Sequence, residues 1–148
     1  MRTLLRPATG RPALTDIALL ITRVALGVIL VAHGWQKYHE WTIAGTAGAF
    51  EGMGIPAPTA AAVFATIVEM VGGTLLILGL LTPVVAVLNG LNLLGALVLV
   101  HISNGVFVGE NGFELVLALI AGLLVLAIHG GGKYGLDALI VRKKAALA

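Results

Sequence analysis

Among its 148 residues the chain has no cysteine, which removes disulfides, thiolate metal sites, cysteine-ligated iron–sulfur clusters and dithiol redox chemistry. Any electrons it handles have to travel on a bound cofactor. Charge is scarce too: Asp, Glu, Lys and Arg make up 11% of the chain, against roughly 25% in a soluble domain. Aromatic residues are only 5% of the total. What remains is apolar, with 59% hydrophobic residues and a mean hydropathy of +1.05. The solvent for such a chain is a lipid bilayer. A spanning helix needs about 20 apolar positions, so the length accommodates about four spans with short connections and leaves no room for a separate soluble domain. Residues 1–148 therefore read as one domain. The net charge of +2 comes mostly from the two ends. It reads as an orientation signal and a contact for anionic lipid, and it excludes a nucleic-acid patch.

Four apolar runs cover residues 16–33, 60–81, 84–101 and 113–128. A barrel would show alternating strands of about 10 residues; unbroken runs instead predict helices, which pair every backbone group internally. The fold class is thus all-α, a four-transmembrane-helix bundle. The first run follows Arg2, Arg6 and Arg11 like a signal peptide, yet Arg23 breaks its apolar core and no small-residue cleavage site follows. It is kept as a span. Between the second and third runs stand only Leu81, Thr82 and Pro83, a tight helical hairpin with proline at a helix opening. Residues 34–59 read as a longer connection with an interfacial aromatic belt of Trp35, Tyr38 and Trp41. The glycine run from Gly130 reads as the stop after the fourth helix and not as a phosphate loop. Basic residues cluster before the first helix and, as Lys133, Arg142, Lys143 and Lys144, after the fourth. The positive-inside rule places both termini of this multi-pass membrane protein in the cytoplasm.

Charged and amide side chains inside these runs are the best functional clue, because an ionised group at the bilayer centre costs at least about 2.5 kcal/mol and faces the bundle interior. At about 1.5 Å per residue, Arg23, Glu69 and Asn92 are expected at one level near the midplane. Glu69 shares a helical face with Gly72 and Gly73, Arg23 with Gly27, Leu30 and Gly34, and Asn92 with Asn89 and Ala96. The expectation is a buried polar site of Arg23, Glu69, Asn89 and Asn92, with Arg23 meeting Glu69. Its leading reading is a knot that sets helix register, and the second is a site for a polar head or for protons. An outer polar cluster is expected from His33, Lys37, His101 and Glu114, with Glu114 pointing inward beside Ala118, Ala121 and Gly122. Two histidines at one depth are the ligand type for axial haem, and His33, His101 and Glu114 suit zinc or non-haem iron. Nothing in their spacing is specific, and no metal is assigned.

These residues also form spaced motifs. Arg23 precedes Gly27, Gly34 and Lys37; Glu69 precedes Gly72 and Gly73, and Gly79 precedes Thr82. Asn111, Gly112 and Glu114 open the fourth helix, and Gly130, Gly132, Gly135, Leu136 and Asp137 follow it. In these motifs the chain resembles the DoxX family of small bacterial inner-membrane proteins over about residues 17–139. Gly131 and Gly135 depart from the family pattern, which has proline and serine there. The resemblance implies four membrane helices and a link to redox systems, a thiosulfate:quinone oxidoreductase for the founding relatives and redox-stress complexes for some other members. Carried over, Arg23 and Glu69 become candidates for a quinone or sulfur-species site with His33, Lys37, His101 and Glu114 at its mouth. Without a thiolate, sulfur transfer would need a partner protein. The function expected is an accessory membrane subunit of a redox system, not an enzyme by itself, with a quinone as cofactor and with soluble redox proteins or a second copy as partners beside the bilayer. A small transporter or lipid-handling protein, and a purely structural subunit, stand as the alternatives.

Overall fold

The computed structural model describes residues 12–145, without the side chain of Lys144; Arg2, Arg6 and Arg11, on which part of the expected orientation rests, lie outside them. Among the described residues no strand occurs. The helices are α1 (Pro12–Glu40), α2 (Thr42–Gly52), α3 (Pro58–Leu78), α4 (Thr82–Asn104), α5 (Glu114–His129) and α6 (Leu136–Ala145). Of these, α1, α3 and α4 are long and apolar enough to cross a membrane. Helix α5 is apolar but, at 16 residues, shorter; it packs mainly along α4 and also against α1.

Two boundaries differ from the sequence reading. Helix α1 does not stop at residue 33: it continues through Gly34 and Trp35 and then widens into a π-turn at Gln36–Glu40. Gly34 ends nothing here because its φ stays helical, and its missing side chain serves packing instead. Part of the expected connection is itself a helix, α2, whose Thr46 and Ala47 are buried.

In lipid, helix association rests on close packing and polar contacts, not on removing apolar surface from water. The α1–α3 seam shows how. A methyl placed on Gly27 would lie 2.6 Å from the Gly73 carbonyl oxygen, and one on Gly34 would lie 2.6 Å from Met70 Cγ. Only glycine allows the two antiparallel backbones to come so near. Behind this seam, Leu26 and Leu30 of α1, Leu76 of α3, Ala86 and Leu93 of α4, and Leu119, Leu123 and Leu126 of α5 form the common core.

One end of the bundle is tied by polar contacts. The α3–α4 turn runs through Gly79 at φ +68° and Leu81 at φ +52°, which exposes amides at the start of α4. Asp137 of α6 accepts both of them, from Leu81 N at 2.8 Å and Thr82 N at 3.0 Å, while its own amide donates to the Gly79 carbonyl at 2.9 Å. Asp16 of α1 accepts from Lys133 N at 3.0 Å and lies 3.6 Å from its ammonium. This is the hairpin end. The expected stop after the fourth helix is there, with Gly130 and Gly132 both at positive φ.

Candidate functional site

The opposite half of the bundle encloses a cavity of about 510 Å³, within the roughly 300–1,000 Å³ usual for small-molecule sites. Its walls come from α1 (Leu30, His33, Gln36, Lys37), from Trp41, from α2 and the turn after it (Phe50, Met53, Ile55), from α3, α4 and α5, and from the loop before α5. Most of that lining is apolar. The polar groups converge on Glu69, which is 4% exposed. Lys37 Nζ donates to Glu69 Oε2 at 2.7 Å, and Asn92 Nδ2 donates to Glu69 Oε1 at 3.1 Å. Both carboxylate oxygens are thus committed. Lys37 and Asn92 still hold further N–H groups, and His33, Gln36, Trp41 and His101 line the same space.

The backbone singles out the same place. Each of the three long helices departs from α-geometry once by a π-turn: Gln36–Glu40 in α1, Val68–Gly72 in α3 and Leu97–His101 in α4. Those turns carry Lys37, Glu69 and His101, and all three residues line the cavity. A π-turn is costlier than the α-helix it interrupts and recurs at functional sites because it re-aims a side chain. Three of them around one cavity make it the candidate site.

The other expected residues fall elsewhere. Arg23 does not meet Glu69. It is buried at the hairpin end, where Nη1 donates to the carbonyls of Leu76, at 3.0 Å, and Ile77, and Nη2 donates to Tyr134 O at 3.0 Å. The reason is plain: α3 ends at Leu78, and its last carbonyls have no partner within the helix. A guanidinium satisfies them with its fork of donors. The shared level expected of Arg23, Glu69 and Asn92 therefore reduces to Glu69 and Asn92. Asn89 is fully buried but outside the main cavity; its amide donates to Val85 O in its own helix at 3.0 Å and abuts Gly72 of α3.

Of the outer four, His33, Lys37 and His101 line the cavity and Glu114 does not. Glu114 accepts from Val108 N at 2.7 Å and closes the loop before α5, while His101 Nδ1 donates to Asn111 O at 2.8 Å. The face of α5 that points inward is Val116, Leu119, Leu123 and Leu126; Ala118 and Ala121 are exposed. Of the small residues expected on that side only Gly122 is packed, against Leu26 of α1. Among the described residues no group of three or more His, Asp or Glu side chains could hold a metal ion.

Sequence reading missed Lys37 as the partner of Glu69 because it placed Lys37 beyond the helix end. A helix carried on through Gly34 puts Lys37 on the face of Arg23, Leu30 and Gly34 by its spacing of three and four residues, and that signal was available. The cavity walls from α2 were also missed, since Phe50 and Met53 stand in a stretch too rich in glycine and alanine to suggest structure.

Residues 18–102, from α1 almost to the end of α4, match the DoxX family model. The chain is 36% identical over 140 residues to the membrane protein Rv3486 of Mycobacterium tuberculosis, covering 88% of this chain and 82% of that one. It is 33% identical over 129 residues to a Bacillus subtilis protein named "Putative oxidoreductase CatD", covering 87% and 91%. To the inner membrane protein YqjF of Escherichia coli it is 32% identical over 131 residues, covering 88% and 97%. No solved structure matches. The multi-pass membrane character read from composition agrees with these relatives, and the chain belongs to the DoxX family.

Proposed function

We propose that this protein is an accessory membrane component of a redox system and that its cavity holds the head group of a quinone. The supporting observation is the Lys37–Glu69–Asn92 cluster on three π-turn-bearing helices, in a cavity whose walls are mostly apolar. A quinone head is a flat apolar ring with two carbonyl acceptors, and the residues present suit it. Leu30, Phe64, Leu93 and Leu119 offer apolar contact, while Lys37 and Asn92 offer N–H donors and His33 an imidazole beside them; the Nδ1–H of His101 is already given to Asn111 O. When bound, a quinone supplies two-electron, two-proton carrier chemistry. The protein's part is to orient it. Glu69 fixes the Lys37 ammonium and the Asn92 amide, and the apolar walls keep water from competing for those donors. The name of the Bacillus subtilis relative supports a redox setting. With no cysteine on the chain, sulfur chemistry would fall to a partner protein. Helix α5 would complete a four-span bundle, with the hairpin end, which carries Lys133, Arg142 and Lys143, at the cytoplasmic face.

Purification from native membranes, followed by solvent extraction and quantification of quinone, tests this reading. The expected result is near-stoichiometric quinone in the wild type and loss of most of it in Glu69→Gln. The double variant Lys37→Met/Glu69→Leu separates binding from folding, because replacing a whole buried ion pair by apolar groups is often neutral for stability. It should melt like the wild type and carry no quinone. Wild-type protein free of quinone would sink the proposal.

A further inference from the structure

We infer that the cavity is entered sideways from the bilayer, through a gap between the outer halves of α3 and α4, so that its ligand is an amphiphile whose tail stays in lipid. The inference rests on the quinone reading for its ligand class but on separate observations for its geometry. Helix α3 packs against α4 mainly along residues 68–78, where Gly72 abuts Asn89 and Glu69 accepts from Asn92. Its first ten residues, Pro58–Ile67, instead pack on α2 and α1 and are all but free of α4. Beyond these contacts the two helices therefore part.

The residues along that parting both line the cavity and face outward: Phe64 on α3 is 50% exposed, and Leu91 and Leu99 on α4 are 60% and 54% exposed. Leu91 lies nine residues after Thr82, hence about 13 Å along α4, at a depth where the surroundings of a spanning helix are hydrocarbon. The end of the cavity away from the hairpin is built differently. The loop before α5 is closed by backbone bonds from Gly112 N to Phe107 O, Phe113 N to Gly105 O and Glu114 N to Val106 O, all 2.9–3.0 Å, and by the Val108 N to Glu114 contact. A tied loop over the end and an unpacked seam at the side favour entry through the seam. An apolar tail lying between Phe64 and Leu91 loses no contact with lipid, while the head reaches Lys37 and Asn92.

Stopped-flow binding to the protein in lipid nanodiscs separates the routes with two probes, decylubiquinone and the tailless ubiquinone-0. Leu91→Trp, which adds bulk on an exposed helix position without touching the Lys37–Glu69–Asn92 cluster, is expected to slow decylubiquinone binding at least tenfold. Tailless ubiquinone-0, which passes the same seam but leaves no tail in it, should be slowed less. Leu91→Ala should leave ubiquinone-0 unchanged and speed decylubiquinone. No effect on decylubiquinone from either variant overturns the lateral route while leaving the ligand reading intact. A wild-type protein that binds neither probe overturns the ligand reading and the portal with it. Unchanged thermal midpoints of both variants are the control for folding.

Discussion

Arg23 and Lys37 carry the same charge on the same helix about 21 Å apart, and they are used in opposite ways. Arg23 gives its protons to three backbone carbonyls at the hairpin end, those of Leu76, which also accepts from Gly79 N, of Ile77 and of Tyr134. Lys37 gives one to Glu69 and keeps the rest facing a cavity. Removing each should therefore separate stability from binding. Arg23→Gln takes the donor from the Ile77 and Tyr134 carbonyls, a loss of about 1–3 kcal/mol per orphaned group, so we expect the variant to unfold at least about 2 kcal/mol more easily in a denaturant titration in mixed micelles. Quinone per folded molecule should stay at the wild-type level. Arg23→Lys should recover only part of the loss, because an ammonium is a point donor and not a planar fork. Retained stability in Arg23→Gln would contradict the capping role.

Between helices, glycine acts in two distinct ways, and the contrast can be measured. A side chain on Gly27 or Gly73 runs into the facing backbone, whereas one on Gly90 or Gly95 of α4 meets nothing within 4 Å. Gly27→Val should separate α1 from α3 and cost several kcal/mol, at the upper end of what overpacking costs, about 3 kcal/mol. Gly90→Ala should be neutral or stabilising by up to about 1 kcal/mol, the helix-propensity gain. Detergent melting curves of the two variants check both signs. The seam also shows what the sequence could reveal. Apolar runs were enough to locate the helices, and the glycine faces around Glu69 and Arg23 correctly marked both residues as inward. The partner of each was beyond reach for different reasons. The carbonyls that Arg23 caps have no side-chain signature, so their location depends on where α3 ends. Lys37 was hidden by the reading of Gly34 as a terminus, although there glycine serves contact with Met70. The parting of α3 from α4 depends on how three helices cross, and no pattern within a single helix encodes a crossing.

For the whole molecule the decisive question is which end faces the cytoplasm. The absence of cysteine makes it easy to ask, since a single introduced thiol is the only one present. Lys143→Cys, on exposed α6, should be protected from a membrane-impermeant maleimide in intact cells and react after permeabilisation. Gly109→Cys, in the loop before α5 with open space around it, should react in intact cells. The reverse pattern would invert the proposed orientation. The contacts of Tyr134 and Asp137 have a further meaning for biosynthesis. The α3–α4 turn is synthesised some fifty residues before Tyr134 and Asp137, so it first emerges with its amides and the left-handed Leu81 unsupported. The segment synthesised later is what fastens it. Assembly thus has a built-in order, in which insertion comes first and the latch closes from the C-terminal side.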